Sequence, residues 1–348
     1  MAATIEMKLR ALRRPDIYED GAGDVHVVET HMSWVFLVGQ HVYKLKKPVR
    51  FPFLDFTALE AREENCREEV RLNRRLAPHV YLGVVPLVEK ADGSLSLGGE
   101  GEVIDWLVRM RRLPQGRMLS SLLGKTDVSG QSIDRLCEVL ADFYGKADRS
   151  PMTAEEHFLG LEGQQALNRQ VLCHRDFDID NESIRHVLDR IDECMHCLRP
   201  QIEARVRAGR YVEGHGDLRP EHVCLTEPIA IIDCLEFSYQ LRLVDPFDEI
   251  AFLGMECAFL GVPGFGERLL PRMSAALNDA VSTELFQFYS ALRATMRARM
   301  ALGHLVYDTG KDRATWEKKT DRYIAQAQRF LAMSELTAVR AGTGNTTT

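Results

Sequence analysis

The chain has 348 residues, 45% of them hydrophobic, which is ample for one or two cores. Its 44 Lys and Arg against 51 Asp and Glu leave a net charge of -7, which argues against a surface built to coat nucleic acid. No apolar run approaches the roughly 18 residues that span a membrane, and the charged N-terminus lacks the apolar centre of a signal peptide, so a cytoplasmic protein is expected.

Residues 1–24 read as a charged lead-in. Residues 34–38 and 41–46 read as two strands around a Gly39-Gln40 turn. In the second strand Lys44 and Lys46 alternate, so both fall on one face. No glycine-rich loop precedes them. The stretch from Glu29 to Trp34 offers instead the Thr30 and Ser33 hydroxyls and loop amides as groups that can meet phosphates. Residues 59–76 read as a helix rich in Glu and Arg, with Val70, Leu72 and Leu76 as apolar positions. Glu69 lies two turns before Leu76 on the same side. Residues 103–110 read as the last strand of a small β-rich part, followed by a hinge at 110–114. Residues 133–147 and 182–207 have helical periodicity.

The most informative segment follows. Gly214-His215-Gly216-Asp217-Leu218-Arg219-Pro220-Glu221-His222 puts one Asp on a Gly-flanked loop and a metal-capable side chain five residues later. Residues 223–225 read as a strand, Thr226-Glu227-Pro228 as a turn, and 229–232 as the return strand. A hairpin brings its two ends together, so Asp233 returns beside His222. Phosphoryl transfer needs little covalent help from a protein. It needs a positioned acceptor and neutralised phosphate charge. An Asp that orients a hydroxyl, with further ligands that hold magnesium on nucleotide phosphates, meets both needs.

Residues 245–260 read as a helix with Pro246 near its first turn. Asp245 is expected to cap it, and Asp248 and Glu249 suit its first turn. Arg219 can pair with Glu221 or neutralise phosphate charge. Residues 285–305 and 316–333 read as amphipathic helices. Arg293, Arg297 and Arg299 are expected on a solvated face of the first, the alternative being contact with an acidic acceptor or a phosphate. Residues 342–348 form a polar tail expected to be disordered.

The eight cysteines are expected to be reduced. Cys194, His196 and Cys197, with Cys173 and His174, have a spacing near that of a zinc ribbon. The helical periodicity through Ile184, Val187, Leu188, Ile191, Met195 and Leu198 makes a structural helix the better reading. Gly124-Lys125-Thr126 imitates a Walker loop, but Leu119 stands where that loop needs glycine.

His215, Gly216, Asp217, Leu218 and Pro220, with Ile232 and Asp233, resemble the motifs of the aminoglycoside phosphotransferase family, a branch of the protein-kinase-like fold. His222 departs from it, standing where that family has a metal-binding Asn. Imidazole is a softer ligand than an amide oxygen and suits magnesium less well. A narrower resemblance is to a bacterial subgroup often fused to a C-terminal P-loop kinase domain, which this chain is expected to lack. It rests on Glu29-Thr30-His31, Tyr43-Lys44-Leu45-Lys46-Lys47-Pro48, Phe53-Leu54-Asp55-Phe56, residues 72–78, Val84-Val85-Pro86 and residues 109–114.

The resemblance implies an α+β, two-lobed fold: a nucleotide lobe at 25–112, a helical catalytic lobe at 113–335 and a tail at 336–348. It implies an ATP- and Mg2+-dependent phosphotransferase acting on a hydroxyl of a small molecule such as a sugar, an amino sugar, an aminoglycoside or another cationic alcohol. Asp217 would orient the hydroxyl. Asp233, with His222, would hold the metal. Lys46, with Lys44 in reserve, would hold phosphates, and Glu69 would hold the lysine. A downstream Asp near 245–248 would buttress the catalytic loop. The alternative is a nucleotide-binding pseudokinase. No nucleic-acid or membrane partner is expected.

Overall fold

Alternation of buried and open positions builds the first part of the molecule around one sheet. The computed structural model describes residues 3–19, 23–51, 54–125, 128–174, 177, 179–307 and 312–343. Helix α1 (Ile5–Leu12) precedes strands β1 (His26–Glu29), β2 (Ser33–Val38) and β3 (His41–Lys46). A short hairpin, β4 (Arg50–Phe51) and β5 (Leu54–Asp55), leads into helix α2 (Leu59–Asn73), and β6 (Tyr81–Glu89), β7 (Leu95–Leu97) and β8 (Glu102–Arg111) follow. The long strands form one antiparallel sheet in the order β1-β2-β3-β8-β6-β7. Phe36, Val38, Tyr43, Leu45, Leu87 and Leu107 form a core with Leu12 and Tyr18. A second core joins Tyr81 and Val108 to Cys66 and Val70 of α2. Side chains alternate across a strand, so Lys44 and Lys46 share the face of Val108, under α2.

The chain continues through α3 (Leu119–Leu122), α4 (Gly130–Lys146), α5 (Ala154–Leu172), α6 (Asn181–Arg207), β9 (Val212–Glu213), β10 (Val223–Cys224), β11 (Ala230–Ile231), α7 (Tyr239–Arg242) and β12 (Leu243–Val244). It ends with α8 (Pro246–Phe259), α9 (Phe265–Leu277), α10 (Thr283–Tyr307) and α11 (Arg313–Thr343). The caps follow from the sequence: the side chains of Ser129, Thr153, Asp180 and Asp245 each accept a first-turn amide. Helix α8 is apolar nearly all round and correspondingly buried. It crosses α9 where a Cβ on Gly254 would lie 2.5 Å from the Gly266 backbone. Among the described residues no helix is long and apolar enough to cross a membrane.

The fold is α+β, with a sheet-based unit and a mostly helical one. One unit comprises Met1–Ser121 with His222–Leu241, and the other Leu122–Glu221 with Arg242–Thr348. The hairpin β10–β11 thus belongs with the sheet, because Met118 bridges to Cys224, Arg117 exchanges backbone and guanidinium hydrogen bonds with Leu225, and Cys224 and Ala230 enter the core beneath α2. The lead-in also joins this unit through α1. Residues 336–343, expected in the tail, continue α11, while 344–348 lie outside the described residues. Phe53 and Thr126 lie outside them too.

The arginines expected on a solvated face are corrected. Arg293 pairs with Asp248 and Arg297 with Glu256, while Arg299 donates to Gln164. Ala291, Ala294, Ala298 and Ala301 let neighbouring helices approach α10 closely, so the arginine stems run along protein rather than into water.

Candidate active site

In the sheet unit, Lys44 and Lys46 leave β3 on one face and converge on Glu69, one helix turn before the end of α2. Lys44 Nζ lies 2.9 Å from Glu69 Oε1 and Lys46 Nζ 2.5 Å from Oε2. The two lysines then diverge. Lys44 reaches Asp233 Oδ1 at 3.1 Å, and Lys46 reaches Glu236 Oε1 at 2.6 Å. The Lys46 side chain is 1% exposed, the Lys44 side chain 16% and Asp233 46%. Burial works against both ammonium charges, but the carboxylates outweigh it: Asp233, Glu69 and Glu236 hold Lys44 well above the usual lysine value, and Glu236 and Glu69 raise Lys46. Burial likewise pushes Glu69 up, yet the two lysines leave it below the usual carboxylate value.

Asp233 sits at the end of the hairpin in a left-handed conformation, φ 62°, which a non-glycine residue adopts only when its surroundings hold it there. Its amide donates to the Tyr81 hydroxyl oxygen at 3.1 Å, and the amide of Cys234 donates to Asn73 Oδ1 at 2.9 Å. Asn73 Nδ2 in turn donates to the Glu69 carbonyl, so α2 and the Asp233 turn are pinned together. The hairpin brings His222 Nε2 to 3.5 Å from Asp233 Oδ2.

In the helical unit the loop bearing Asp217 is held from below by one carboxylate. Glu249 of α8, fully buried, accepts the amides of His215 and Gly216 and the hydroxyl of Tyr144. Gly216 has φ 87°, a glycine conformation. A Cβ on Gly214 would lie 2.6 Å from Glu249 Oε2 and 2.5 Å from Val244. The His215 ring accepts the Asp217 amide through Nδ1 at 3.2 Å. Glycine, histidine and glycine before Asp217 are thus each accounted for by close approach, ring acceptor and backbone angle. Arg219 pairs with both Asp217, at 3.0 Å, and Glu221, at 2.6 Å.

The buttress expected of a downstream Asp is supplied by Glu249. Asp245 caps α8 through the Phe247 amide and forms a two-pronged pair with Arg205. Asp248 is taken by Arg293. An acid inside the apolar run of residues 246–259 was the signal for Glu249. Glu236, three residues after Asp233, had only its position, and nothing local marked Tyr81 or Asn73. The Thr30 hydroxyl, offered to phosphates by the sequence, instead closes its own turn against the Ser33 amide and carbonyl, and Ser33 is 1% exposed.

Among the described residues no group of three or more His, Cys, Asp or Glu is arranged to hold a metal ion. Magnesium is commonly bound through one or two carboxylates together with phosphate oxygens and water. Half-exposed Asp233, with His222 beside it, is the carboxylate here that could hold such an ion together with phosphate oxygens.

No family model matches the chain. Uncharacterised proteins of Mycobacterium tuberculosis and Mycobacterium bovis are 31% identical to it over 343 residues, 94% of this chain and 66% of theirs, so the chain spans just under two thirds of their length. Among solved structures, a choline kinase of Streptococcus pneumoniae matches with TM-score 0.55 at 14% identity, covering 95% of this chain and 100% of that one. A choline/ethanolamine kinase family protein of Mesorhizobium loti matches with TM-score 0.54 at 16% identity, over 95% and 99%. An aminoglycoside phosphotransferase of Alicyclobacillus acidocaldarius has TM-score 0.48 at 13% identity, over 90% and 92%. At these identities the likeness is one of fold.

Proposed function

We propose that this chain, which has the protein-kinase-like fold, is an ATP- and Mg2+-dependent phosphotransferase acting on a hydroxyl of a small molecule. The observation that carries the reading is Lys44, held by buried Glu69 and reaching the half-exposed Asp233. A charged lysine tethered beside an accessible carboxylate is the arrangement that nucleotide phosphates and their metal require. Lys44, rather than Lys46, takes the phosphate role in this reading. Lys46 is closed off between Glu69 and Glu236 and is better placed to hold them than to meet a ligand.

Asp233 would hold magnesium, with His222 as the neighbouring nitrogen, and the ion would neutralise phosphate charge when bound. Asp217 would accept the proton of the acceptor hydroxyl as its oxygen bonds to the terminal phosphorus and the nucleoside diphosphate leaves. Glu249 would fix the Asp217 loop through its backbone. Arg219, paired with Asp217, would orient its carboxylate.

His222 in place of an amide ligand, together with the self-closed Thr30 turn, favours a second reading: a module that binds nucleotide and does not turn it over. Thermal melting with and without ATP–Mg2+ tests both readings. The wild type should gain about 2.7 kcal/mol at a hundredfold excess over Kd, and Asp233→Ala should lose the magnesium-dependent part. Asp217→Ala should bind nucleotide normally while phosphoryl transfer falls about a hundred- to ten-thousand-fold. No shift in the wild type with any nucleotide would sink both readings. A shift without turnover on any acceptor would leave the second.

A further inference from the structure

A buried triad apart from these residues ties the N-terminal helix to the helix that carries Glu69. Asp105, on the central strand β8, is 1% exposed. Lys8 of α1 donates through Nζ to Asp105 Oδ2 and to the Ile104 carbonyl, each at 2.7 Å. Arg62 of α2 donates through Nε to Asp105 Oδ1 at 2.8 Å and through Nη2 to Oδ2 at 3.2 Å. Its Nη1 donates to the carbonyls of Phe56, Thr57 and Ala58, closing the turn that opens α2. Lys8 is 8% exposed and Arg62 5%.

Two cations on one buried carboxylate are a poor way to gain stability, since all three groups leave water and apolar residues of the same shape often serve as well. Such groups are better suited to fixing register. Arg62 lies seven residues before Glu69, two turns along α2 and on the same side. Asn73, one further turn on, holds the Cys234 amide. The three contacts are spaced along one helix face. A slide or rotation of α2 that broke the Arg62 contact would draw Glu69 from Lys44 and Lys46 and Asn73 from the Asp233 turn. Lys8 brings α1 onto the same carboxylate, although α1 contributes nothing to the site itself.

We propose that Lys8, Asp105 and Arg62 are positioning residues through which α1 sets the register of α2, so that the N-terminal helix controls nucleotide affinity. This rests on the reading of Lys44 and Glu69 as the phosphate-binding pair.

Hydrogen exchange of the wild type with and without ATP–Mg2+ is the first test. Coupling between two sites is reciprocal, so nucleotide should slow exchange in α1 as well as in α2. Protection of α2 with α1 unchanged would overturn the proposal and leave the function standing. No nucleotide-dependent change anywhere would overturn both. The second test compares Lys8→Met, which keeps most of the stem and removes the charge, with Lys8→Arg. Lys8→Met should bind ATP–Mg2+ about five- to tenfold more weakly, with faster exchange in α2, and Lys8→Arg should restore both. A folded Lys8→Met with wild-type affinity would also overturn the proposal. If Lys8→Met does not fold, the wild-type exchange pattern decides alone.

Discussion

Lys44, Lys46 and Glu69 are largely withdrawn from water, and each keeps its charge because opposite charges face it at hydrogen-bond distance. In the loop that carries Asp217 the supporting Glu249 is withdrawn just as far, yet burial leaves its carboxyl above the usual value. The His215 and Gly216 amides, Arg293 and Tyr144 pull it down without prevailing. Asp245, beside it on α8, is also raised by burial despite Arg205. Around Asp233 charge outweighs burial for lysine and carboxylate alike, whereas on α8 burial outweighs charge at Glu249 and Asp245 but not at Arg293 and Arg205, which carboxylates hold above the usual arginine value. The first region is a network of ion pairs that ends on one half-exposed carboxylate, Asp233. The second is a rigid mount in which one carboxylate organises backbone.

The comparison breaks most visibly at Glu249. Glu249→Ala strands the buried His215 amide, the partly buried Gly216 amide and the Tyr144 hydroxyl, and should cost about 3–5 kcal/mol of stability, with loss of any turnover. Chemical denaturation measures it. A cost near 1 kcal/mol would mean that water replaces the carboxylate and that the mount is not rigid.

The two lysines sharpen the other half. Lys46→Met removes the cation that lies 2.5 Å from buried Glu69 and 2.6 Å from Glu236, and should destabilise by about 3 kcal/mol. Lys44→Met should cost about 1 kcal/mol, because Asp233 can return to water and Glu69 keeps Lys46. Nucleotide affinity should rank the other way among folded variants, with Lys44→Met the weaker binder in the same melting assay. Equal losses of affinity in both would make the pair one functional unit and remove the distinction drawn between them.

The difference between the regions also explains what the sequence disclosed. Asp217, His222 and Asp233 are joined by a tight loop and a short hairpin, so local pattern sufficed to bring His222 and Asp233 together. The shared face of Lys44 and Lys46 came from strand alternation, and the helical position of Glu69 from the run of residues 59–76. Glu249, by contrast, contacts a backbone amide 34 residues away, Tyr81 one 152 away and Asn73 one 161 away. Each acts on main chain, and main-chain partners leave no compositional trace. The arginines of α10 were misjudged for a related reason. Periodicity gives the face of a helix but not how many neighbours cover it, and α10 packs against enough of them to bury its polar side.

A smaller effect tests whether burial governs the Asp217 side as far as α5. His157 Nε2 lies 3.1 Å from the Tyr211 hydroxyl, which meets Tyr289, which donates to Asp245. Tyr211 immediately precedes β9, the strand that enters the Asp217 loop. Burial lowers His157 to about 4, with Asp248 opposing. A histidine depressed in the folded state binds fewer protons there than when unfolded, so its contribution is full above the unfolded value near 6.5. It is lost as pH falls toward 4. The full shift would correspond to more, but partial exposure of the ring reduces the expected loss to about 2 kcal/mol. His157→Phe keeps the ring against Tyr211 and Phe158 and cannot titrate. At pH 7 it should melt slightly below the wild type, for want of the Tyr211 hydrogen bond. Between pH 6.5 and 4.5 the gap should close and then reverse. Glu249 and Asp245 titrate in both proteins with the opposite sign, so their effect largely cancels in the difference. Parallel melting curves across that range would show that water reaches His157, and that burial does not extend its hold from the Glu249 mount to α5.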